Sequence, residues 1–279
     1  MSLNTGGAVF GAFMGVVVAL LCRVVTSEVW IIALILGVLA LICFIIATVT
    51  VKGAETEEEP ITALTRGVLI GINSVLNGFL AYLIIGALSN SDTAGLVVGL
   101  TLSGLNFIAS IGVISRWSVY QGLIGWLNWI MPMSWLIVVL GVAFVLISLI
   151  FHVLLHLPFK ILFFRFGVPS DSGTALAGKS IDVDWATGTI FIFGGFASNC
   201  NIYKTAFNMG NFSFVHRESD VAHIEHESGH SLNLGAFGSF IHLVGAVDEW
   251  VFSHENALTE KLAESHHPAS ARPKLLMWS

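Results

Sequence analysis

Apolar residues gather in five long runs: Ala8 to Val25, Val29 to Val51, Gly67 to Leu88, Ala94 to Ser115 and Pro132 to Leu157. Crossing a hydrocarbon layer takes about 20 mainly apolar residues in helical form. The pattern therefore predicts an α-helical integral membrane bundle of about five transmembrane helices. Between the fourth and fifth runs, Trp117, Trp126, Trp129 and Trp135 alternate with glycines. This predicts an interfacial or re-entrant segment with its indoles at headgroup level.

After Pro169 the pattern changes. Ile181, Val183 and Trp185 alternate with polar residues, a glycine turn follows, and Ile190 to Phe193 is apolar again, which predicts a hairpin. Asn211 to Val215 predicts another short strand. Ser219 or Asp220 can cap a helix running to about Asn233, with Gly235 and Gly238 as stop signals, and a second helix is expected over Phe240 to Glu264. The expected division is a bundle over 1–166 followed by a small α+β domain over 167–279.

Composition agrees. The 279 residues are 55% hydrophobic and 11% charged, against about a quarter charged in a soluble domain. A net charge of −6 without a basic run excludes nucleic acid as a natural partner. Cys22 and Cys43 lie in apolar runs and only Cys200 in the polar part, so no disulfide framework exists. The lone Cys200 points to a cytoplasmic C-terminal domain, although the flanking basic residues divide evenly between the two sides: Arg23, Lys160 and Arg165 against Lys52, Arg66 and Arg116.

Within the runs, Gly7, Gly11 and Gly15, the pair Gly67 and Gly71, and the pair Gly95 and Gly99 recur every four residues, the spacing that lets helix backbones approach closely. Asn73, Asn77 and Asn106 read as interhelical hydrogen bonders. No Asp, Glu or Lys lies deep in a run, which counts against an ion-coupled transporter. The Glu55 to Glu59 loop reads as a solvated acidic segment, and His266 and His267 as a solvated pair.

On the helix after Ser219, His223, His226, Glu227 and His230 fall within about 100° of one another, with Val221, Ile224 and Leu232 opposite. Histidines at i and i+4 stand one turn apart, the spacing for two imidazole nitrogens to reach one Zn²⁺. The competing reading is two core histidines bonded to carbonyls and nearby acids.

His226-Glu227-Ser228-Gly229-His230 resembles the HExxH motif of the zincin metallopeptidases. That resemblance implies His226 and His230 as metal ligands and Glu227 as the general base that takes a proton from a zinc-acidified water. The longer metzincin pattern is not met, because Asn233 and Ala236 stand where it has Gly and His. Gly245-Ala246-Val247-Asp248-Glu249 is similar to the third-ligand segment of the thermolysin-like gluzincins, and Glu249 follows His230 by 249 − 230 = 19 residues. Glu249 is thus the first choice for third ligand, with Asp248, His242 and Glu255 as competitors. The acid that follows this glutamate by one turn in that group is absent, since position 253 is Ser253. His254 is the candidate oxyanion stabiliser, and His223 a candidate near the scissile group. The function implied is a membrane-embedded zinc peptidase acting on membrane-associated proteins or peptides. The alternative is a structural or assembly subunit of a membrane complex with a C-terminal docking domain.

Overall fold

The computed structural model describes residues 3–22, 38, 60–151, 154, 181–193, 206–215, 221–251 and 257–266. They form a mostly helical structure with one small mixed sheet. Helix α1 covers Leu3–Cys22, α2 Pro60–Ser89, α3 Asp92–Ile108, the short α4 Gly112–Ser115, α5 Ser118–Leu127 and α6 Trp135–Phe151. Strands β1 (Ile181–Asp184), β2 (Thr189–Phe193), β3 (Ala206–Met209) and β4 (Phe212–Val215) follow. Helices α7 (Val221–Phe237), α8 (Phe240–Val251) and α9 (Leu258–Ser265) complete the order.

Local chemistry sets the boundaries. Pro60 opens α2 at a position where its missing N–H costs nothing. Asn90 then takes a left-handed conformation (φ 51°), and Ser91 caps α3 by accepting from the amide of Ala94. The result is a tight helical hairpin. Its arms meet through glycines: a β-carbon on Gly99 would run into the carbonyl of Gly78, and one on Gly95 into the carbonyl of Tyr82. Helices α1 and α2 approach in the same way. Gly11 and Gly15 face the carbonyls of Leu64 and Val68, and Gly67 and Gly71 those of Ala8 and Ala12. The close packing expected from the four-residue glycine spacing is present.

Among the described residues, two helical stretches are long and apolar enough to cross a membrane, Ala63–Ser89 and Pro132–Ile150. The five expected spans are not all matched. Val29 to Val51 lies almost wholly outside the described residues, and the described apolar part of α1, Gly6–Ala19, is short. The fourth run, read as continuous from Ala94 to Ser115, is broken. Helix α3 stops at Ile108, the chain turns through Ala109 and Ser110, and Ser110 Oγ donates to the carbonyl of Phe107. At about 1.5 Å per residue, the 17 residues of α3 fall short of a hydrocarbon core about 30 Å thick.

The sheet order is β1-β2-β4-β3, with β1 and β3 at the edges. Strands β1 and β2 are antiparallel, β2 and β4 parallel, and β3 and β4 antiparallel. Two residues, Gly210 and Asn211, join β3 to β4, and Gly210 supplies the positive φ of 72° that the turn requires.

Helix α7 is longer than expected and passes through Gly235, ending where Gly238 adopts φ 64°. Tertiary packing explains the overrun: a side chain at 235 would collide with Ile124 of α5. The expected helix Phe240 to Glu264 is instead two helices, because Ala257 takes extended backbone (φ −61°, ψ 136°) as the N-cap of α9. Every residue from Ser231 to Ser239 is buried. One apolar core joins Ala8, Ile70 and Leu102 to Ile124, Leu232, Phe237 and Leu262.

Asparagines tie α7 to this core. Asn73 Nδ2 donates to Asn106 Oδ1 at 2.8 Å, Asn77 Nδ2 to Asn73 Oδ1 at 3.3 Å, and Asn106 Nδ2 to the carbonyl of Gly235. Asn73 and Asn106 bond between helices, as the sequence suggests, whereas the Asn77 to Asn73 bond lies within α2 and Asn77 Oδ1 accepts from the amide of Met133 at 2.9 Å. A buried carbonyl in the last turn of α7 thus gains a partner from α3.

Candidate metal centre

The first half of α7 carries the His-Glu-Ser-Gly-His segment, and its surroundings give each residue a separate setting. Helix α9 crosses α7 at Gly229, where a β-carbon would strike the backbone of Ala263. That close crossing lays Glu260 and Glu264, one turn apart on α9, beside the two histidines. His226 Nε2 lies 2.8 Å from Glu260 Oε2, His230 Nε2 3.4 Å from Glu260 Oε1, and the two Nε2 atoms 3.1 Å from each other. His226 Nδ1 faces Glu264 Oε1 at 3.7 Å. Ligand atoms of His226, Glu227 and His230 all lie within 4.8 Å of one another, a grouping able to hold a metal ion.

The donor set suits a cation. Four ligands held tetrahedrally at zinc distances stand about 3.4 Å apart, close to the three separations among His226, His230 and Glu260. Two imidazole nitrogens and a carboxylate are also the donor types that a borderline cation such as zinc takes.

Glu227 is buried on the sheet side. Ser213 Oγ on β4 donates to its Oε2 at 3.4 Å, and Asn208 Nδ2 on β3 donates to its backbone carbonyl at 3.2 Å. Burial raises the Glu227 pKa above the usual carboxylate value; His230, His226 and the Ser213 bond act the other way, and Glu260 adds to the rise. A base with a raised pKa and a fixed orientation is suited to accept a proton.

Asn208 also fixes a third histidine. Its amide nitrogen is committed to Glu227 and, at 3.1 Å, to Ser231 Oγ, so its oxygen must accept from His242 Nε2 at 3.0 Å. His242 is therefore the Nε2–H tautomer. Its Nδ1 is sealed from solvent and has no hydrogen-bond partner among the described residues. Burial, with help from His230, lowers its pKa from 6.5 to about 3.

The sequence-predicted residues are placed as follows. His226, Glu227 and His230 come together. Glu249 and Asp248 lie on α8 and His223 on α7, but their side chains are outside the described residues, as are His254 and Glu255 entirely. His242 Nε2 faces Asn208 Oδ1. Glu260 and Glu264 were not among the candidates, although two acids one turn apart on an amphipathic segment are the pattern found missing at Ser253. His266 is not solvated: it is buried, with Nε2 2.8 Å from Asn233 Oδ1.

No protein-family model, no curated protein and no solved structure matches this chain.

Proposed function

We propose that the chain is a multi-pass membrane zinc metallopeptidase that hydrolyses peptide bonds of membrane-associated proteins or peptides, with His226, His230 and Glu260 as metal ligands. The observation that carries this reading is the triangle of 2.8, 3.1 and 3.4 Å formed by two imidazole nitrogens and one carboxylate, with a buried carboxylate, Glu227, beside it.

Zinc, when bound, supplies a Lewis acid that acidifies a neighbouring water and polarises a carbonyl. Each protein group then has a task. Glu260 brings negative charge to the two histidine ligands. Glu264, 3.7 Å from His226 Nδ1, favours a proton on that nitrogen and so keeps Nε2 free as a ligand. Glu227 accepts a proton from water as its oxygen adds to the peptide carbon, and passes that proton to the amine as the C–N bond breaks. Ser213 and Asn208 hold Glu227 in place. Two long apolar helices and the wide exposure of Leu96, Val97, Leu136 and Val139 support the membrane setting.

Cleavage of a membrane-protein substrate in vesicles by the wild type, set beside Glu227→Gln, tests the reading. It requires hydrolysis by the first and loss of hydrolysis with retained zinc in the second. A zinc-replete wild type that cuts nothing, with Glu227→Gln indistinguishable from it, would favour a metal-stabilised assembly subunit.

A further inference from the structure

Helix α5 turns two faces to its surroundings. Tyr120, Ile124 and Gly125 point inward. Val119, 86% exposed, and Leu123, 45% exposed, point outward, flanked by Trp117 at 60% and Ile130 at 56%. Positions 119, 123 and 126 follow the i, i+4, i+7 spacing of a single helical stripe, and Ile130 lies in the turn that follows the helix. From Trp117 to Pro132 the chain has no charged residue. A stripe facing water would carry charges.

The sheet adds to the same face. Trp185, in the turn between β1 and β2, is 73% exposed. Its ring lies 4.9 Å from that of Trp126, whose Nε1 donates to the Trp185 carbonyl at 3.2 Å. The turn is seated firmly. Gly125 fits against the carbonyl of Thr187, and Asn211 Nδ2 donates to both Gly125 O at 2.9 Å and Gly188 O at 2.8 Å. Helix α5 and the hairpin tip therefore form one body with three tryptophans along its outer side.

We propose that this face rests in the headgroup–acyl boundary of a lipid bilayer, with Trp117, Trp126 and Trp185 at headgroup level. The inference rests on the membrane reading above and deepens it. Tryptophan prefers this boundary because its ring is apolar while its N–H needs a polar partner. The stripe also runs without a charge into the membrane-length stretch Pro132–Ile150, whose Leu136, Val139, Ile147 and Ile150 are exposed in turn. The lipid that covers those residues covers α5 as well.

Helix α7 packs on the inner side of α5, where Ile124 meets Gly235 and Asn128 Nδ2 donates to the carbonyl of Ser231 at 2.9 Å. The metal-binding helix is thus one helix layer, about 10 Å, behind the lipid-facing surface. The substrate class that fits is a polypeptide segment leaving the bilayer, not a freely diffusing peptide.

The test uses the full chain in phosphatidylcholine vesicles whose acyl chains carry bromine near the headgroup. The emission lost in Trp185→Phe relative to wild type isolates Trp185, and Trp117→Phe reads the other end of the stripe in the same way. Both tryptophans should be quenched by brominated lipid and only weakly by aqueous acrylamide. Quenching by acrylamide and not by lipid would place the face in water. Quenching by neither would place it under protein, a second copy of the chain included. Either result overturns the proposal. Failure of the membrane reading itself looks different, because the chain would then be extracted without detergent and would not float with the vesicles.

Discussion

The carboxylate of Glu260 lies 2.8 Å from Nε2 of His226, across 34 residues of sequence. What permits this is the absence of a side chain at Gly229, since the Cα of Ala263 would stand 2.9 Å from a β-carbon there. Gly229→Ala should therefore push α9 outward and draw Glu260 away from the histidines. Zinc affinity should fall about tenfold or more, as it does when groups supporting a site are disturbed. The melting temperature of the metal-free protein should fall too. Helix propensity alone predicts the reverse, since alanine is better than glycine in a helix by about 1 kcal/mol, so calorimetry separates the two explanations.

Glu264 tests the support of the ligand rather than the ligand itself. Glu264→Gln should weaken zinc binding by about 10–100-fold while leaving the stoichiometry at saturating zinc unchanged. Competition with a chromogenic chelator measures this. Unchanged affinity would mean that the 3.7 Å approach to His226 Nδ1 has no role in holding the metal.

Glu227→Gln should retain zinc and lower the hydrolysis rate by about 10²-fold or more. It should also alter stability. Because burial raises the folded-state pKa of Glu227 above 4.5, the native metal-free protein binds more protons than the unfolded chain between those two values. Its stability therefore declines as pH rises through that window. The glutamine variant should lack the decline, and thermal melts of the metal-free pair across pH measure it.

His242 should act in the opposite direction. Its pKa is lowered from 6.5 to about 3, so between these values the unfolded chain holds the extra proton. Its contribution is complete above pH 6.5 and is lost as the pH falls toward 3, at a slope of up to about 1.4 kcal/mol per pH unit. His242→Gln can still donate to Asn208 Oδ1 and should flatten this part of the profile. Melting temperatures measured over the same range check it; an unchanged slope would show that His242 does not set it.

Much of the arrangement was legible in the sequence because it depends on local spacing. The i, i+4 histidines, the glycine repeats of α1 to α3 and the β1–β2 hairpin all follow from short-range pattern. The partner of His226 does not. Counting forward from His230 favours Glu249, and spacing alone does not reveal that α9 folds back onto α7 where Gly229 meets the backbone of Ala263. The two acids on α9 were a usable signal, hidden by reading Phe240 to Glu264 as one continuous helix. Hydropathy similarly merged α3 with α4, because a turn made of Ala109 and Ser110 is too mildly polar to interrupt an apolar run. His266 looked solvated only because its neighbour in sequence is another histidine, whereas its partner, Asn233, lies on α7.

His226, His230 and Glu260 are the proposed zinc ligands. Metal analysis of the wild type beside Glu260→Ala and Glu249→Ala, each purified in detergent and freed of loosely bound ions, tests this assignment most directly. A site left with two protein ligands holds zinc poorly, so stoichiometric zinc is expected in the wild type and in Glu249→Ala, and near-complete loss in Glu260→Ala. Zinc retained in Glu260→Ala but lost in Glu249→Ala would contradict the assignment of the third ligand, and a wild type without stoichiometric metal would contradict the metal centre itself.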